Sequence, residues 1–155
     1  EARMHRLDKT QQLTEDVQHE LKQWSKPQLW VVLSETWCGD AAQVLPVIAK
    51  MAEMTPAITL RILLRDEHPG VMDLFLTNGT RSIPKLIMVD EESGEVLADF
   101  GPRPNEAKQL ILDYKATHGV VDDTAKTALQ KWYLNDKGIS IQNEILALMK
   151  TAVVL

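Results

Sequence analysis

The chain has one cysteine in 155 residues. A lone thiol excludes an intramolecular disulfide and the disulfide-stapled scaffolds of small secreted proteins, and it favours a reducing compartment. The cytoplasm is therefore the expected location. Long hydrophobic runs are also lacking. Wholly apolar stretches such as Leu29 to Leu33 and Ala152 to Leu155 fall far short of the roughly 20 residues needed to span a bilayer. There is no excess of positive charge: 22 acidic against 17 basic side chains leave a net charge of -5. That balance argues against nucleic acid or an anionic membrane as a partner. No glycine-rich phosphate loop appears, which removes the usual signature of a nucleotide-dependent enzyme. His5, His19, His68 and His118 are scattered without the spacing of a metal site. Neither a cofactor nor a metal is expected.

A hydrophobic content of 45% in a chain of this length is enough for one sizeable core and too little for two ordinary domains. The expected organisation is a single domain over 1–155, with an N-terminal helix in 1–28, a core in 29–119 and a helical extension in 120–155. Leu13, Val17, Leu21 and Trp24 recur at helical spacing and predict an amphipathic helix over about 10–24. Leu29 to Leu33 reads as a buried strand. From about Gly39 to Met54, Val44, Leu45, Ile48, Met51 and Ala52 line one helical face, with Pro46 inside it as the expected kink. A second strand is expected over 58–64 and a short helix over 71–77, ended by Asn78-Gly79. Segments 85–89 and 95–100 form an antiparallel hairpin. A helix over 105–117 follows, then two more over 122–134 and 140–153. Asp122 or Asp123 caps the first of these and Ser140 the second.

The order β-α-β-α-β-β-α, with Trp37-Cys38-Gly39 directly after the first core strand, resembles the thioredoxin family. Pro46 lies eight residues after Cys38, where thioredoxins have the proline of their active-site helix. Gly79-Thr80-Arg81-Ser82-Ile83-Pro84 is similar to the family's approach to its cis-proline, and Gly101 to the glycine that ends its hairpin. Four elements in one register over about Leu29 to Thr117 imply an α/β, thioredoxin-like fold. It should have a central four-stranded mixed sheet flanked by helices, its first two strands parallel, with an extra N-terminal helix and two C-terminal ones. The chain resembles a divergent subgroup carrying Trp-Cys-Gly-Asp-Ala more closely than it resembles thioredoxin itself.

The departures bear on function. Ala41 stands where the family has its resolving cysteine, so no internal thiolate can release a mixed disulfide on Cys38. Val32 stands where the resemblance implies a buried acid. Cys38 is the candidate nucleophile, placed by the resemblance at a helix N-terminus that lowers a thiol pKa, while Asp40 pushes the other way unless Lys85 or Arg81 neutralises it. The alternative is that Cys38 is a small hydrophobe packed on Trp37. Trp37, Gly39, Asp40, Ile83 and Pro84 are the candidate substrate-binding residues, Ile83 through its backbone. Glu35 reads as solvated or as a proton relay, and Trp132-Tyr133 as the apolar face that docks the first C-terminal helix on the domain, with a dimer contact as the alternative. Two functions follow: monothiol thiol-disulfide exchange with a protein or small-molecule partner and an external thiol as resolver, or a non-catalytic adaptor using the Trp37, Ile83 and Pro84 surface or the C-terminal helices.

Overall fold

A computed structural model describes residues 12–35 and 39–154. Helix α1 (Glu15–Lys22) starts at Thr14, whose hydroxyl accepts from the Val17 amide at 3.3 Å, and it buries Val17 and Leu21. The Thr14 cap places the helix start at Glu15, within the wider span that hydrophobic spacing alone suggests. Strand β1 (Gln28–Ser34), helix α2 (Gly39–Glu53) and strand β2 (Ile58–Leu64) follow. Pro46 does not end α2, which continues through it to Glu53.

A single 3-10 turn (Arg65–Glu67) leads to the short helix α3 (Pro69–Met72). This corrects the helix expected over 71–77. Pro69 fixes the backbone for a helical first turn and moves the start forward. Asn78 and Gly79, expected to end that helix, instead occupy the centre of a tight turn with φ of 51° and 80°, closed by reciprocal Thr77 and Thr80 hydrogen bonds of 2.9 and 3.0 Å. Two consecutive positive φ angles are what such a two-residue reversal needs, and Asn-Gly supplies them at low cost.

Strands β3 (Lys85–Asp90) and β4 (Val96–Phe100) complete a sheet of order β2-β1-β3-β4. β1 runs parallel to β2 and antiparallel to β3, and β3 is antiparallel to β4. Alternation along the strands divides the core. Trp30, Val32, Leu86, Met88 and Phe100 enter the main cluster on one face; Leu33 and Ile87 enter a smaller one on the other, closed by Met72 and Ile83. Val32 is fully buried, so an acid at that position would have to be desolvated there.

Helix α4 (Asn105–His118) ends at Gly119 in the left-handed conformation. Asp122 then caps α5 (Asp123–Asp136), accepting from the Ala125 amide at 3.1 Å and from the Tyr114 hydroxyl at 2.7 Å. The last helix is α6 (Ile139–Val154). Ser140, expected as its cap, lies inside its first turn; Asp136 does the work instead, accepting from the Ser140 amide at 3.0 Å and hydroxyl at 2.6 Å. The reason is the sharp reversal at Lys137 and Gly138, both at positive φ, which brings the end of α5 onto the start of α6. Ala125, Leu129 and Tyr133 of α5 and Ile141, Ile145 and Met149 of α6 join Val44, Ile48 and Met51 of α2 in the main cluster.

Candidate functional site

Thr36, Trp37 and Cys38 lie outside the described residues, as does His5. Next in the chain, the start of α2 is described. Gly39 opens α2, and Asp40 sits in its first turn. The Asp40 carboxylate is held from two directions. Arg103, just before α4, reaches it as a fork, Nε to Oδ1 at 3.2 Å and Nη2 to Oδ2 at 3.1 Å, and the Tyr133 hydroxyl of α5 donates to Oδ1 at 3.0 Å. The Asp40 and Arg103 side chains are 15% and 27% exposed, so the pair is largely withdrawn from solvent. A planar guanidinium meeting both carboxylate oxygens is the stronger and more directional kind of ion pair.

This corrects the expected partners of Asp40. Lys85 is turned away from it: its side chain, 5% exposed, donates to the Gly101 carbonyl at 3.1 Å and approaches Asp99 at 3.4 Å. Both acceptors lie on or just beyond the neighbouring strand β4, where the alternation that points Lys85 also points Asp99. Arg81 forks onto Asp73, with Nε at 2.8 Å. Ala41 follows Asp40 into the core at 3% exposure. A second tie joins α2 to α5, the Gln43 amide donating to Gln130 at 3.1 Å.

The Ile83-Pro84 peptide bond is cis. Ile83 and Pro84 are both buried, and the Ile83 side chain packs in the smaller cluster beside Leu33, Met72 and Ile87. Gly101 lies directly against this loop at φ 122°, where a Cβ would overlap the Pro84 carbonyl oxygen. Glycine is required there for both the angle and the close approach. The Glu35 carboxylate accepts from the Asp66 amide at 2.9 Å and anchors the start of the 3-10 turn. Among the described residues no group of three or more histidine, cysteine, aspartate or glutamate side chains could hold a metal.

A family model described as Thioredoxin matches residues 1–132. The chain belongs to the thioredoxin family. No curated protein matches this thioredoxin-family chain. Among solved structures it is similar to a protein of unknown function from Pseudomonas aeruginosa, at 21% identity and TM-score 0.73, over 97% of this chain and 84% of that one. An HIV epitope-scaffold aligns over the same shares, at 21% identity and TM-score 0.69. An N-terminal domain of the alkylhydroperoxide reductase AhpF from Enterococcus faecalis is similar at 17% identity and TM-score 0.50, over 65% of this chain and 49% of that one. These likenesses establish the fold.

Two residues of the site escaped sequence reasoning. Arg103 lies between two prolines, a stretch that periodicity reads only as a break. Tyr133 was legible as a buried position, four residues beyond Leu129 and eight beyond Ala125. A buried phenol needs a partner for its hydroxyl. That signal could have pointed to a polar group beneath α5, though not to Asp40 by name. The Trp132-Tyr133 pair does dock α5: Tyr133 is buried, Trp132 packs against the main cluster, and the rings meet edge-on at 5.4 Å.

Proposed function

We propose that the chain carries out monothiol thiol-disulfide exchange through Cys38. The observation that carries this reading is the capture of Asp40 by Arg103 and Tyr133. A carboxylate two residues beyond the cysteine opposes a thiolate; paired with a guanidinium, it no longer does so at full strength. The helix N-terminus is then left to favour the anionic sulfur. Ala41, buried and without a thiol, leaves resolution to an external partner.

In this scheme the Cys38 thiolate attacks one sulfur of a protein or small-molecule disulfide. A mixed disulfide forms, and the other sulfur leaves as a thiolate. An external thiolate of the glutathione class then attacks the substrate sulfur of the mixed disulfide, so Cys38 departs as a thiolate and the two external sulfurs end joined. The alkylhydroperoxide reductase domain among the similar structures gives the redox reading a precedent on this fold. Such a cycle needs a compartment rich in reduced small thiols, which is the cytoplasm. Among the described residues no helix is long and apolar enough to cross a membrane.

The test is disulfide reduction with glutathione as the only reductant, run on the parent and on Cys38→Ser, together with the alkylation rate of Cys38 against pH. Turnover that disappears in Cys38→Ser, with a thiol that alkylates faster at neutral pH than a free cysteine, supports the proposal. Equal rates for the two proteins and an unactivated thiol would overturn it and leave the adaptor function.

A further inference from the structure

Beside the Pro84 loop, on the side of the edge strand β4, lies a cleft of about 520 Å³, within the size range of small-ligand sites. Its walls come from five places: the Leu76 to Asn78 turn, β3 through Lys85, β4 with Gly101, the start of α4, and α6 through Glu144 and Leu148. α6 falls beyond the stretch matched by the family model, so this wall is supplied by the C-terminal extension.

The cleft is lined by three cations, Lys85, Arg103 and Lys108, and by two carboxylates, Asp99 and Glu144, on a chain whose net charge is -5. Two of these groups are already committed. Arg103 is held by Asp40, and both Glu144 oxygens accept from the Asn105 amide at 3.0 Å, closing the N-terminus of α4, which has no side-chain cap of its own. Burial pushes the Glu144 carboxyl above its ordinary pKa, against the opposing pull of the Asn105 amide.

Lys85 is the most deeply buried of the three cations. Its ammonium has three donors, of which one meets the Gly101 carbonyl and one makes a long 3.4 Å approach to Asp99, whose side chain is 49% exposed. A cation buried this deeply and compensated this weakly favours a further anionic acceptor. Thr77 lines the same space, and its hydroxyl oxygen is buried with no hydrogen-bond partner among the described residues. Leu76, Phe100 and Leu148 supply an apolar surface alongside.

We infer that this cleft is a binding site for a small monoanionic organic acid, with its carboxylate on the Lys85 ammonium and Thr77 hydroxyl and a short apolar tail against Leu76, Phe100 and Leu148. Among the described residues one Lys85 ammonium donor and the Thr77 hydroxyl lack an acceptor, and the two oxygens of one carboxylate match them. A phosphate dianion would meet the same two donors while presenting twice the charge of a carboxylate to Asp99 and Glu144. The inference does not involve Cys38 and stands or falls separately from the proposed exchange activity.

The test is titration of the full chain with hexanoate, followed by backbone amide shifts in NMR, with methyl hexanoate and inorganic phosphate as matched controls. Saturable shifts centred on Thr77, Lys85 and Gly101 are expected for hexanoate, with the ester and phosphate weaker by roughly tenfold or more. Lys85→Met should remove the preference for the acid over the ester. Ala147→Trp fills the cleft from the α6 wall without changing any charge and should abolish binding; it keeps the test decisive should Lys85→Met fail to fold. No saturable shifts in the parent, equal binding of acid and ester, tighter binding of phosphate, or undiminished binding to folded Ala147→Trp would each overturn the assignment.

Discussion

Replacing Arg103 by Gln leaves the Asp40 carboxylate with the Tyr133 hydroxyl at 3.0 Å and removes two charge-assisted bonds of 3.2 and 3.1 Å. A fully exposed pair contributes roughly 0–1 kcal/mol, and breaking a fully buried one costs about 3–5 kcal/mol. With the side chains 15% and 27% exposed, this pair lies nearer the buried limit but keeps some solvent screening. Arg103→Gln is therefore expected to cost about 2 kcal/mol. Asp40→Asn, which leaves the more exposed Arg103 without its anion, should cost about 1 kcal/mol. If the two side chains act on each other, the double variant is less destabilised than the sum of the singles, by a coupling of about 1–2 kcal/mol. Urea unfolding of the four proteins, with equal m-values as the check that the denatured state is unchanged, measures that coupling. A coupling inside the roughly 0.5 kcal/mol error of additivity would refute the claim that the fork holds the first turn of α2.

Two further outcomes are expected. Gly101→Ala must place a Cβ on the Pro84 carbonyl oxygen at a φ of 122°; backbone strain and displacement of two strands together should cost about 3–5 kcal/mol, and a thermal midpoint close to that of the parent would contradict the close packing described. The Asp122 carboxyl is held below its ordinary 3.8, first by the Tyr114 hydroxyl and then by the Ala125 amide. Because the folded state binds this proton less readily than the unfolded state, the stability it contributes is present above about pH 4 and is lost as pH falls through the lower folded value. Asp122→Asn keeps a capping oxygen without a titrating group, so its thermal midpoint should fall less steeply than the parent's between pH 4 and pH 2; parallel slopes would show that Asp122 does not contribute to acid sensitivity.

Strands β1 to β4, helix α2 and the proline loop were legible in the sequence because each depends on chemistry local to a few residues. An apolar run makes a strand buried on both faces, period-3.6 spacing makes a helical face, and Asn78-Gly79 or Gly119 permits a positive φ. The reading failed where two signals overlapped: Asn-Gly serves as a helix stop and as a tight turn, and only the Thr77-Thr80 pairing distinguishes them. The site divides along the same line. That Ala41 carries no thiol, that Asp40 follows Cys38 and that Pro84 precedes a strand are facts of sequence. Which cation meets Asp40 is not, since Arg103 lies 63 positions away along the chain and Tyr133 lies 93. Lys85 and Arg81 were closer candidates by motif, and strand alternation and Asp73 took them elsewhere. A side chain's charge is fixed by its identity, but its partner is fixed by whichever elements the core brings together. Here the burial of Tyr133 and of α6 against α2 decided both the neutralisation of Asp40 and the existence of the cleft.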